Sequence, residues 1–144
     1  MGSWGSKPFE NDTALDFWAD LRRSGDANIF SRTFHDALDC PDSHFDVPDA
    51  EVVTAAGELV AAGLGHEGMD LPDGALAWAV GHRHELEGDV LELARLAVRR
   101  VHAKAALLMA SWLSNGGAKA WLATVEDLAK RLSMHDPILG AAEQ

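Results

Sequence analysis

The densest set of side chains able to do chemistry is His82-Arg83-His84-Glu85, two imidazoles and a carboxylate within four residues. Zinc needs two or three such groups converging on one point. On a helix, however, positions i and i+2 point to different sides, and the i, i+4 histidine pair of helical metalloproteases is missing. A polar loop at a helix end is the competing reading. His35 and Asp39, four apart, would share a helix face as an acid/base pair, as two ligands or as a surface contact. His66-Glu67 and His135-Asp136 sit beside glycine or proline, where solvated histidines are common. Asp39, Asp42, Asp46 and Asp49 invite calcium, but the alternating acids, sixth-position glycine and closing glutamate of a calcium loop are not there. Cys40 has no histidine beside it and reads as an inert buried thiol. The chain shows no phosphate-binding glycine loop, no serine-nucleophile elbow and no basic motif with interleaved aromatics. No metal and no cofactor is expected. If the chain is an enzyme or a small-molecule binder, its pocket lies between helices, with His35, Asp39, His82, His84 and Glu85 as the first suspects.

Charge points elsewhere. The formal net charge is −11 and the pI about 4.9, which disfavours nucleic acid and anionic membrane surfaces and favours a cationic protein partner. Residues 1–93 hold 19 acids against 5 bases, whereas residues 94–144 hold 4 acids against 7 bases. Residues 36–51 are the most acidic stretch, with Asp36, Asp39, Asp42, Asp46, Asp49 and Glu51 and no base. That stretch is the expected partner-binding surface. An acidic surface steers basic partners and can cover basic active sites, so an immunity-type inhibitor of a basic toxin is one form such a module would take. Arg95, Arg99, Arg100 and Lys104 form a basic strip, suited either to grip an anion or to pair with acids from elsewhere in the chain.

These residues must be positioned by helices. A chain of 144 residues is the length of one domain, and alanine and leucine dominate its apolar content. The expected fold is all-α: a single compact irregular bundle of about five to seven helices, with an extended arm or turn over residues 1–11 and an acidic loop over 39–48. Asn11 or Asp12 caps a first helix carrying Leu15, Trp18 and Leu21, flanked by Ala14 and Phe17, up to Ser24-Gly25. Asp26 caps a second, whose apolar face holds Ile29, Phe30, Phe34 and Ala37. Pro48 sits in the first turn of a third, which runs through Val53, Ala56, Leu59 and Val60. Leu71-Pro72-Asp73 opens a shorter helix, the run from Leu86 to Trp112 makes one helix or two, and Asn115-Gly116-Gly117 turns into a last helix with Trp121, Val125, Leu128 and Leu132. Trp4, Phe9, Trp18, Trp78, Trp112 and Trp121 are read as core anchors. One cysteine excludes an internal disulfide, and neither a signal peptide nor an apolar run of about 18 residues occurs, so the expected location is the cytoplasm.

The pattern Met1-Gly2-x-Trp4-Gly5-x-x-Pro8-Phe9-x-Asn11-Asp12-x-Ala14-x-Asp16-Phe17 resembles the opening of a bacterial family, domain of unknown function 4259 (DUF4259). The resemblance continues through Ala55-Ala56-x-Glu58-x-Val60-Ala61-Ala62, Leu71-Pro72, Ala77-Trp78, Leu93-Ala94-x-x-Ala97-x-x-x-Val101 and Trp121-x-x-x-Val125-x-x-Leu128-x-x-Arg131-Leu132. The chain departs from it around residues 102–108, where Ala103-Lys104-Ala105-Ala106 replaces a polar break. The resemblance implies a compact helical domain and supplies no activity, cofactor or catalytic residue.

Overall fold

Asn11 starts the first helix as its polar side chain predicts: Oδ1 accepts from the Ala14 N–H at 2.7 Å. That helix, α1, spans Asp12–Ser24 and stops at Gly25, whose φ of +65° lets its N–H bond to Leu21 O at 2.8 Å. The computed structural model describes residues 7–68, 71–104 and 117–134, with side chains from residue 120 in the last stretch. The buried stripe of α1 is Ala14, Phe17, Trp18 and Leu21. Leu15, expected on that stripe, is instead exposed, because Phe17 and Trp18 offer more apolar area to bury and the helix turns their side to the core.

The other helices follow the same local rules. α2 covers Asn28–Asp39; Asp26 Oδ1 accepts from the Asn28 N–H at 2.9 Å, and Cys40 leaves the helix in an extended conformation ahead of Pro41. After a 3₁₀ turn at Asp42–His44, α3 spans Val47–Gly63. Its start is a capping box: Asp46 and Asp49 each bond the other's backbone side, with Asp46 N to Asp49 Oδ2 at 2.9 Å, and Pro48 stands in the first turn. α4 is Ala75–Gly81, α5 Arg83–Leu86, α6 Asp89–Ala103 and α7 Gly117–Met134. These seven α-helices confirm the all-α bundle, and no strand occurs among the described residues. The run from Leu86 is not continuous, since Gly88, with φ +69°, separates α5 from α6, and α6 ends before Lys104. Trp4, Trp112, the turn at 115–116 and His135-Asp136 lie outside the described residues.

α3 is the axle of the bundle. From Val53 to Gly63 every residue is buried, and α1, α2, α4, α6 and α7 all pack against it. A helix apolar on every side has no solvent face to present and is stable only inside such a sheath. Two glycines set its distances. A Cβ on Gly57 would stand 3.0 Å from Leu128 Cδ2 and 3.1 Å from Val98 Cγ2, while one on Gly63 would stand 2.6 Å from Leu86 Cδ1 and 2.8 Å from the Ala79 carbonyl oxygen. Phe17 and Trp18 of α1, Phe30 and Phe34 of α2 and Trp78 of α4 form an aromatic cluster of edge-on and tilted rings, among them Trp18 against Trp78 at 6.4 Å. Among the described helices none is long and apolar enough to cross a membrane.

Candidate functional site

The acidic stretch is not a bare loop. Arg100, on α6, reaches back to the C-terminus of α2, donating to the carbonyl oxygens of Ala37 and, at 3.2 Å, Leu38, while Nη2 bonds Asp42 Oδ1 at 2.7 Å. Its guanidinium also lies 4.5 Å over the ring of Phe45. Lys104 Nζ holds the other oxygen of Asp42 at 2.8 Å. The hydrogen bond from Lys104, then that from Arg100, keeps the Asp42 carboxyl below its ordinary value of 3.8. Part of the basic strip is thus consumed by the acidic stretch. Asp46 and Asp49 cap α3, and Glu51 is buried on it. Of the four aspartates Asp39, Asp42, Asp46 and Asp49, the last three therefore have structural tasks within the fold. Asp36 and Asp39 remain exposed on α2, their carboxylates unpaired among the described residues.

The suspects for catalysis do not assemble. His35 and Asp39 share the exposed side of α2, with no hydrogen bond between them. His82 stacks on Trp78 with ring centroids 3.8 Å apart, and its Nδ1 bonds the Trp78 carbonyl oxygen at 2.8 Å, so that ring finishes α4 instead of facing a ligand. The side chain of His84 is 99% exposed, and Glu85 is also exposed. Among the described residues no group of three or more His, Cys, Asp or Glu is placed to hold a metal ion.

The most built polar feature lies elsewhere. Glu58, on the axle helix, has a side chain only 3% exposed and takes a two-pronged grip from Arg131 of α7, Nη1 to Oε1 at 2.8 Å and Nη2 to Oε2 at 2.7 Å. Arg131 also donates to Asp127 Oδ2 at 2.7 Å and to the His66 carbonyl oxygen at 3.2 Å. Burial opposes its charge, but the bonds from Glu58 and Asp127 outweigh that and raise the guanidinium above its ordinary value. The pair closes the inner end of a cleft of about 530 Å³, whose rim carries Lys7, Glu67, Thr124 and Asp127. Gly68 lies so close to the pair that a Cβ there would stand 2.7 Å from Glu58 Oε1. With its donors and acceptors already matched, the pair serves as a tie between helices, and none of His35, Asp39, His82, His84 or Glu85 lines the cleft. The sequence reading missed this pair; the signal that could have found it is a glutamate in an apolar helical run, since such an acid is buried only with a partner.

The chain belongs to the family described as Domain of unknown function (DUF4259), whose sequence profile matches residues 2–124 of 144. That span takes in Glu58, Asp42 and Arg100, and Arg131 lies beyond it. No curated protein and no solved structure matches the chain.

Proposed function

We infer that the domain is a recognition module for a cationic protein partner, with Asp36 and Asp39 on α2 at the centre of the contact surface. The observation that carries this reading is where the bases go. Arg95 donates to the Leu132 carbonyl oxygen at 3.0 Å, Arg100 to the end of α2, Lys104 to Asp42 and Arg131 to Glu58. Four of the seven bases in residues 94–144 are thereby turned onto the protein itself, and the outer surface is left dominated by carboxylates. Such a field attracts a basic partner and speeds its capture. An immunity-type inhibitor that covers the basic active site of a toxin, in the cytoplasm of a bacterium, is the specific form this reading takes; size and charge support it.

The test uses the intact chain as bait in an extract of its native cells at low salt, beside an Asp36→Asn/Asp39→Asn variant. A basic protein retained by the parent and captured more slowly by the variant supports the reading, with the difference fading as salt shortens the Debye length to about 8 Å at 0.15 M. A specific partner that is acidic, or equal association rates at low salt, would overturn it. A second reading, a small-molecule binder, draws on the cleft above Glu58 and Arg131.

A further inference from the structure

Among the described side chains, two cations of the basic half are not drawn inward. Arg99 on the last turns of α6 and Lys130 on α7 are exposed, and neither forms a hydrogen bond or ion pair among the described residues. Both nevertheless line one feature, a groove of about 260 Å³ between the two helices, together with His102, Glu126 and Ala129. Arg99 and His102 are three apart on α6 and so present to the same side, while Lys130 faces them from α7. Ala129, half-buried, takes little room between them. His102 Nε2 lies 3.3 Å from Glu126 Oε2, so a carboxylate already stands beside one of the donors.

We propose that this groove binds a small phosphate anion, either the free ion or a phosphate ester. Arg99 offers a planar fork that matches two oxygens of a tetrahedral oxyanion, Lys130 a compact charge for a third, and His102 a ring N–H. The groove is large enough for one such group. The net charge of −11 holds nucleic acid and anionic lipid away while leaving a local positive niche for a small anion. Glu126 competes for the same donor, so the site is self-screened when empty. This inference stands on different residues from the acidic surface of α2 and does not depend on it.

The experiment is an NMR titration of the full chain with inorganic phosphate and, separately, methyl phosphate, against sodium chloride at matched ionic strength. Saturable shifts at Arg99, His102 and Ala129 are expected, tighter for methyl phosphate if the natural ligand is an ester and equal for both if it is the free ion. Arg99→Ala/Lys130→Ala should weaken binding at least tenfold with an unchanged far-ultraviolet dichroism spectrum. Glu126→Gln, which removes the competing carboxylate, should bind phosphate severalfold more tightly, an outcome that damage to the fold cannot imitate. Shifts that match those in chloride, or a Glu126→Gln variant no tighter than the parent, would overturn the proposal.

Discussion

Glu58 and Arg131 stand 73 residues apart in sequence and meet through two hydrogen bonds, of 2.7 and 2.8 Å, that tie the axle helix α3 to α7. The carboxylate is almost wholly buried, so each member of the pair depends on the other. Removing one partner from a buried pair leaves an uncompensated charge, whereas replacing both by apolar groups of similar size is often neutral.

Arg131→Met should accordingly lower the unfolding free energy by about 3–5 kcal/mol, and Glu58→Leu/Arg131→Met should recover most of the loss. Urea denaturation followed by dichroism measures both. A single-variant loss below about 1 kcal/mol, the level of an exposed pair, would show that water screens the contact.

Asp42 sets an acid limb. Its carboxyl is lowered in the folded protein by Lys104 and Arg100, so its contribution to stability is complete above the ordinary value of 3.8 and is lost as the pH falls through the lower folded value. Asp42→Asn should therefore reduce the melting temperature at neutral pH, and the gap between variant and parent should close as the pH drops below 3.8. A gap that stays constant across a thermal-melt series from neutral to strongly acidic pH would refute the pairing.

Three glycines in helices give an ordering. Gly81 has open space where a Cβ would go, so Gly81→Ala should be neutral or stabilise by up to about 1 kcal/mol through helix propensity. Gly57→Ala presses on the flexible ends of Leu128 and Val98, whereas Gly63→Ala meets the backbone oxygen of Ala79 as well as Leu86. Overpacking of this kind costs about 1–3 kcal/mol, with Gly63→Ala at the upper end because a backbone atom yields least. Equal melting temperatures for all three variants would contradict the close approach.

Asp46→Ala removes one half of the capping box and should cost about 1 kcal/mol in chemical denaturation. Asp36→Asn/Asp39→Asn, on an exposed helix face, should change stability by less than about 0.5 kcal/mol. If the two variants lose equal amounts, the division of the acidic stretch into structural and free carboxylates fails.

What was legible in the sequence was local. Asn11, Asp26, Gly25 and Pro48 act within a turn of themselves, and Trp121, Val125, Leu128 and Leu132 bury the stripe their spacing draws. Misreadings arose where distant residues decide. The stretch around Asp42 has no base near it in sequence, yet Arg100 arrives from 58 residues on. Leu15 follows the helical period, but the larger rings of Phe17 and Trp18 set which side turns inward. His82 and His84 stand two apart in sequence, but Trp78 claims one ring and solvent the other. The ion pair at Glu58 has the same origin: neither residue carries the other's address, and only the packing of α7 on α3 joins them.

Because α3 is sheathed from Val53 to Gly63, its amide hydrogens should meet solvent only when that sheath comes away. Deuterium can replace them only when the whole bundle comes apart, so they should be the last to exchange and should do so together, at rates set by global stability. The innermost helix thereby serves as the molecule's own clock of complete unfolding, against which local opening of the outer helices can be timed residue by residue.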